Sequence, residues 1–170
     1  MKPRVPVPAT TSADPMERSV LAHLPGALAA FQRLYGRLWQ SPVLDPVTKE
    51  IARLRNARLT GCGYCRNVRF AAARDAGLTE DTLDLVADGH AASSLSARHK
   101  AVLRFVDVFL TDPTALRTAD RQALLRELTP AEIVELAAAV ALFLGFSKIA
   151  VALGTAPADM PLTIVPTPAP

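Results

Sequence analysis

From Ile133 to Leu153 the chain is apolar almost all round, interrupted mainly by Glu135, Ser147 and Lys148. A helix with no polar face has to be covered on every face. The rest of a 170-residue chain must therefore pack around this segment, and burial against another subunit is expected besides burial in the chain's own core. Half of the residues are hydrophobic but only 5% are aromatic, and Ala and Leu supply much of the apolar content. That balance favours packed helices over a sheet, because strands draw on β-branched and aromatic residues. The length suits one domain with a real core.

The remaining signals are helical too. Met16 to His23 reads as a short helix closed by Pro25-Gly26. Gly26 to Trp39 then carries Leu28, Phe31, Leu34, Tyr35 and Leu38 as a one-sided apolar stripe. Asp45-Pro46 is an N-cap followed by proline at the first helical position, opening a helix to about Leu59 that Gly61 ends. A further helix is expected from about Cys62 to Asp75, and a short one from Thr79 to Ala87. Ser96 to Leu110, Ala119 to Glu127 and the segment opened by Thr129-Pro130 complete the set. The expected architecture is all-α, with a flexible arm over residues 1–15, a helical domain over 16–156 and a Pro-rich arm over 157–170. Met160 to Val165 in the last arm is apolar enough to lie across a neighbouring subunit.

Met1 to Asp14 lacks the apolar core of a secretory signal. The longest unbroken apolar stretch, Leu136 to Phe146, is about half the roughly 20 residues that span a bilayer. A cytoplasmic protein without a membrane partner is expected. The net charge is +3, with the basic residues spread along the chain, so nucleic-acid binding receives no specific support.

Chemistry concentrates at Cys62-Gly63-Tyr64-Cys65, which holds the only two cysteines. Residues three apart on a helix share a face, within reach of a disulfide. One thiolate can attack a peroxide or disulfide and the other can resolve the product. Two inert packed thiols are the first alternative to a redox pair. A zinc site is the second; it would need two of His23, His90 and His99, which show no paired ligand spacing. Twelve residues before Cys62 stands Glu50, bordering the apolar stripe of its helix. A carboxylate partly withdrawn from water can serve as a base near neutral pH. A solvated Glu50–Arg53 pair at helical spacing is the equal alternative.

Glu50, eleven residues and then Cys62-Gly63-Tyr64-Cys65, with Lys49 to Gly61 leading in, resembles the alkylhydroperoxidase D-like (AhpD-like) branch of the carboxymuconolactone decarboxylase family. The resemblance is specific from about Val43 to Leu85. It implies an all-helical fold of about six to eight helices, assembled as a dimer, trimer or hexamer, with no metal or organic cofactor. It further implies peroxide reduction or thiol–disulfide exchange, with Cys65 as the attacking thiol, Cys62 as the resolving thiol and Glu50 as the base. A dithiol donor, a lipoylated or thioredoxin-like protein, would restore the pair. Where the family places a relay histidine, four residues after the second cysteine, this chain has Arg69. Arginine has no acceptor atom and does not deprotonate, so it cannot relay a proton. It can stabilise a Cys65 thiolate from the same helical face, or pair with a carboxylate such as Glu50. Arg66, Asn67 and Arg69 would then make the site electropositive. Lactone decarboxylation, the family's eponymous reaction, and a non-catalytic thiol sensor are the competing functions.

Overall fold

The computed structural model describes residues 3–11, 17–154 and 160–169. Eight α-helices are present among them, with one small two-stranded sheet. Helix α1 runs Pro25–Gln40 and α2 Pro46–Thr60. The short α3 (Gly63–Asn67), strand β1 (Val68–Phe70) and α4 (Ala71–Asp75) follow. Then come α5 (Glu80–Asp84), α6 (Ala97–Thr111), α7 (Thr118–Glu127), α8 (Pro130–Leu153) and strand β2 (Thr163–Val165).

The start and stop residues act as their chemistry requires. Asp45 caps α2 by accepting from the Thr48 amide, and Pro46 opens the helix. Gly61 closes it at φ 69°, a left-handed conformation that costs glycine little. Ser96 caps α6, and Thr129 with Glu132 forms a reciprocal capping box on α8. The first expected helix survives only as a 3₁₀ turn over Val20–His23, and its expected start at Met16 lies outside the described residues. So do the expected domain boundaries at residues 15–16 and 156–157.

Within the single chain, burial falls more fully on α2 than on α8. The helix enclosed on all sides is α2, buried continuously from Thr48 to Ala57 despite its charges. It packs between α6 and α8. Each buried charge has a partner: Lys49 Nζ meets Glu135 at 2.9 Å and Arg55 Nε meets Asp107 at 2.6 Å. Helix α8 buries one face (Leu136, Ala139, Val140, Phe143, Ser147 and Ala150) and leaves Val134 70% exposed on another. At 24 residues, α8 is by length and composition able to cross a membrane, longer than its unbroken apolar run suggests. Its role here is to cover α2, and Glu135 on it closes the Lys49 ion pair.

One expectation is corrected: the helix expected from Cys62 to Asp75 breaks at Val68, where β1 pairs in parallel with β2. That pairing lays the C-terminal arm on its own chain, with Val68, Arg69 and Phe70 in register with Thr163, Ile164 and Val165.

Candidate active site

Cys62 is the N-cap of α3, and Cys65 closes the first turn; their sulfurs form a disulfide. The Cys65 amide donates to Cys62 Sγ at 3.2 Å. Cys62 is 1% exposed and Cys65 9%. The small difference has a direction: Cys65 stands in the wall of a cavity of about 330 Å³ that Cys62 does not line.

The cavity wall is mostly aromatic. Phe31 and Tyr35 come from α1, Phe70 from β1, and Phe143 and Phe146 from α8. Phe31 stacks on Phe146 with ring centroids 4.6 Å apart, while Tyr35 meets Phe143 edge-on at 5.9 Å. Burial holds the Tyr35 phenol far above its ordinary pKa, so it stays neutral. The C-terminal arm supplies another side of the wall through Val165, Pro168 and Ala169. It is tied down by the Ala72 amide donating to Thr167 Oγ1 at 2.9 Å and by Gln40 donating to the Pro168 carbonyl at 3.2 Å.

Behind Cys65 lies a buried ion pair. Arg53 donates through Nε to Glu50 Oε2 and through Nη2 to Glu50 Oε1, both at 2.7 Å. The same guanidinium reaches the carbonyls of Cys65 (2.7 Å) and Val68 (2.6 Å), and Phe70 N donates to Glu50 Oε1 at 3.2 Å. These bonds explain the helix break. Backbone groups that would have bonded along a helix are satisfied by the Glu50–Arg53 pair instead. Arg53 also sits over the Phe70 ring, 5.1 Å from its centroid. Burial opposes its charge, but Glu50 outweighs that and holds the guanidinium above its ordinary value. The Glu50–Arg53 pair thus exists as the sequence allowed, but fully buried and not solvated.

The structure brings Cys62, Cys65 and Glu50 into one neighbourhood and leaves Arg69 outside it. Because the helix ends at Asn67, Arg69 falls on β1 and not on the Cys65 face. Its carboxylate partner is Glu80, at 2.9 Å, in place of Glu50, and it also donates to the carbonyls of Arg66 and Val68. Arg66 and Arg69 line, with Arg58, a separate polar cavity of about 150 Å³. The expected electropositive environment for Cys65 is corrected accordingly: its cavity is apolar, with Arg53 as the cation in its wall. Tyr64, between the cysteines, is part of the wall. As for the histidines, His23 bonds the Pro6 carbonyl and His90 pairs with Asp107. No group of three or more metal-ligating side chains gathers among the described residues.

Two polar residues in the wall were not singled out as site residues from sequence. Asn56 on α2 donates to Ser147 Oγ at 2.8 Å, and Ser147 Oγ lies 3.4 Å from Cys65 Sγ. Ser147 carried a signal: it is one of three polar interruptions in an apolar helix. Asn56 carried only its place on the Glu50 helix, two turns downstream.

Residues 25–107 match the model of the carboxymuconolactone decarboxylase family. An uncharacterized protein of Mycobacterium tuberculosis is 37% identical over 73 residues, which are 43% of this chain and 26% of that protein. The match thus spans about a quarter of the length of that curated relative. Among solved structures, an uncharacterized peroxidase-related protein of Ralstonia eutropha, an alkylhydroperoxidase AhpD core, superposes with a TM-score of 0.73 at 22% identity. The superposition covers 92% of this chain and 93% of that one. The debrominase Bmp8, in complex with 2,3,4-tribromopyrrole, shares the fold at a TM-score of 0.66 and 16% identity, over 79% of this chain and 72% of its own.

Proposed function

We propose, from the match of residues 25–107 to the carboxymuconolactone decarboxylase family, that this chain is a thiol-dependent antioxidant enzyme reducing organic peroxides through Cys65 and Cys62. One observation carries this reading: the Cys62–Cys65 disulfide opens, at Cys65 alone, onto an apolar cavity large enough for a small organic substrate. In the reduced protein the Cys65 thiolate attacks the terminal oxygen of a hydroperoxide. A sulfur–oxygen bond forms, the oxygen–oxygen bond breaks, and the departing alkoxide takes a proton from solvent to become an alcohol. The Cys62 thiolate then attacks the Cys65 sulfenic sulfur. Hydroxide leaves and is protonated to water, and the disulfide is restored. A dithiol donor, lipoylated or thioredoxin-like, returns two electrons and two protons for the next cycle.

In this mechanism Glu50 is the counter-charge that holds Arg53 against the Cys65 carbonyl. Both oxygens of the expected base are thereby engaged by the Arg53 guanidinium. The apolar wall fits an organic peroxide better than a dicarboxylate lactone, because the cation it contains is already matched by Glu50. A cytoplasmic setting and a homo-oligomer covering the outward face of α8 belong to the same reading.

The test is a peroxidase assay with a dithiol reductant, comparing the wild type with Cys65→Ser. The expected result is loss of turnover in the variant. Equal consumption of peroxide by both proteins would rule the proposal out.

A further inference from the structure

We propose that Ser147 is a catalytic hydrogen-bond donor to the Cys65 sulfur, set by Asn56, whose free carbonyl oxygen receives the O–H of the hydroperoxide. The inference rests on the reading of Cys65 as the reacting thiol, and takes the place left by the displaced Arg69.

Ser147 has two hydrogen-bonding neighbours, Asn56 Nδ2 at 2.8 Å and Cys65 Sγ at 3.4 Å. A thiolate can only accept, so the Ser147 proton must point at sulfur. Its oxygen then accepts from the Asn56 amide, which fixes the direction of the chain: Asn56 N–H to Ser147 O, Ser147 O–H to Cys65 S. Both side chains are about 1% exposed, where a donated hydrogen bond is less diluted by water.

Fixing that direction leaves Asn56 Oδ1 with no partner, and it is buried. A buried carbonyl oxygen without a donor is costly. Asn56 belongs to the wall of the Cys65 cavity, and although this oxygen lies just beneath the cavity surface, a small turn of the side chain brings it a donor from whatever occupies that space. A hydroperoxide supplies one. With its terminal O–H directed at Asn56 Oδ1, the same terminal oxygen is presented to the Cys65 thiolate. The sulfur–oxygen bond then forms and the oxygen–oxygen bond breaks as above, the proton staying on what becomes the sulfenic acid.

The other groups facing Cys65 do not replace this donor. From α2, Arg53 addresses the Cys65 carbonyl and is neutralised by Glu50. From α1, Tyr35 is held neutral by burial and Gln32 is uncharged. Tyr64 belongs to the same short helix as Cys65, and α8 offers no charged group in the wall.

The experiment uses the full chain carrying Cys62→Ser, so that a single thiol titrates. Iodoacetamide alkylation of Cys65 is followed against pH. Ser147→Ala is expected to raise the thiolate midpoint by about one unit and slow alkylation at neutral pH roughly tenfold. Ser147→Thr should restore the parent titration, and Ser147→Val, its isostere, should not; this pair carries the test if the alanine variant does not fold. A midpoint unchanged in both Ala and Val variants overturns the role of Ser147. Asn56→Ala should slow reaction with tert-butyl hydroperoxide more than reaction with iodoacetamide, which brings no O–H to the carbonyl. Equal slowing of both reagents overturns the role of Asn56. The alkylation titration needs no peroxide. A Ser147 shift in a protein that fails to reduce peroxides would therefore defeat the proposed function and leave the donor intact, whereas turnover without the shift would do the reverse.

Discussion

At the scale of single residues, the side chain that organises the site is Arg53. It joins a buried carboxylate to two backbone carbonyls and an aromatic face, and it sets where α3 ends. Arg53→Met would leave Glu50 as a buried unpaired charge and two carbonyls without their donor. We expect a loss of about 3–5 kcal/mol in urea unfolding, with Cys65 no longer held against the cavity. A variant as stable as the wild type would show that the pair is structurally dispensable. The sequence made part of this legible. The spacing of Glu50, Cys62 and Cys65 pointed to this neighbourhood, and the three-residue interval from Glu50 to Arg53 offered the ion pair as one of two readings, in a solvated form. What it left out is long-range. The carbonyls that Arg53 reaches belong to Cys65 and Val68, on a segment whose local pattern reads as helix, and only the tertiary contact ends that helix.

Among the elements, the contrast between α2 and α8 is the main lesson. An apolar sequence marks α8 as the helix to be enclosed, yet α2 is enclosed and α8 lies over it with one face outward. The reason lies in pairing: Lys49 is matched by Glu135 on α8, Arg55 by Asp107 on α6, and Glu50 and Arg53 by each other, and the long-range partners are what periodicity cannot show. Helix boundaries were more legible, because caps act locally. Asp45 is an example. Burial opposes its ionisation, but the hydroxyl and amide of Thr48 and the guanidinium of Arg98 outweigh that together and hold its carboxyl below the ordinary value. A depressed folded-state pKa contributes stability above the unfolded value and loses it as pH falls through the folded one. Asp45→Ala should therefore cost about 1 kcal/mol at neutral pH. The difference from the wild type should shrink on acidification below about pH 4, as read by thermal unfolding at several pH values. A difference that persists unchanged in acid would contradict the assignment.

For the molecule as a whole, the two ends of the chain are drawn onto the helical body. Arg4 N donates to the Leu153 carbonyl at 2.8 Å, and the C-terminal arm pairs with β1 and walls the Cys65 cavity. The arm's sequence did not point to the strand it joins, since β1 is itself created by the break in the expected helix. Deleting residues 160–170 should leave the body folded and open the cavity. Thiol–disulfide exchange of reduced Cys65 with a bulky aromatic disulfide reagent, read by the aromatic thiolate released, should then be several-fold faster than in the full chain. Equal rates would mean that the arm does not control access.

Oxygen transfer from a peroxide to Cys65, followed by attack of Cys62, leaves a signature that mass spectrometry reads in the fully reduced protein after one equivalent of an organic hydroperoxide. A Cys62–Cys65 disulfide is expected in the wild type, and a sulfenic acid trapped on Cys65 in Cys62→Ser. Two free thiols in the treated wild type, or oxidation confined to Cys62, would contradict this chemistry.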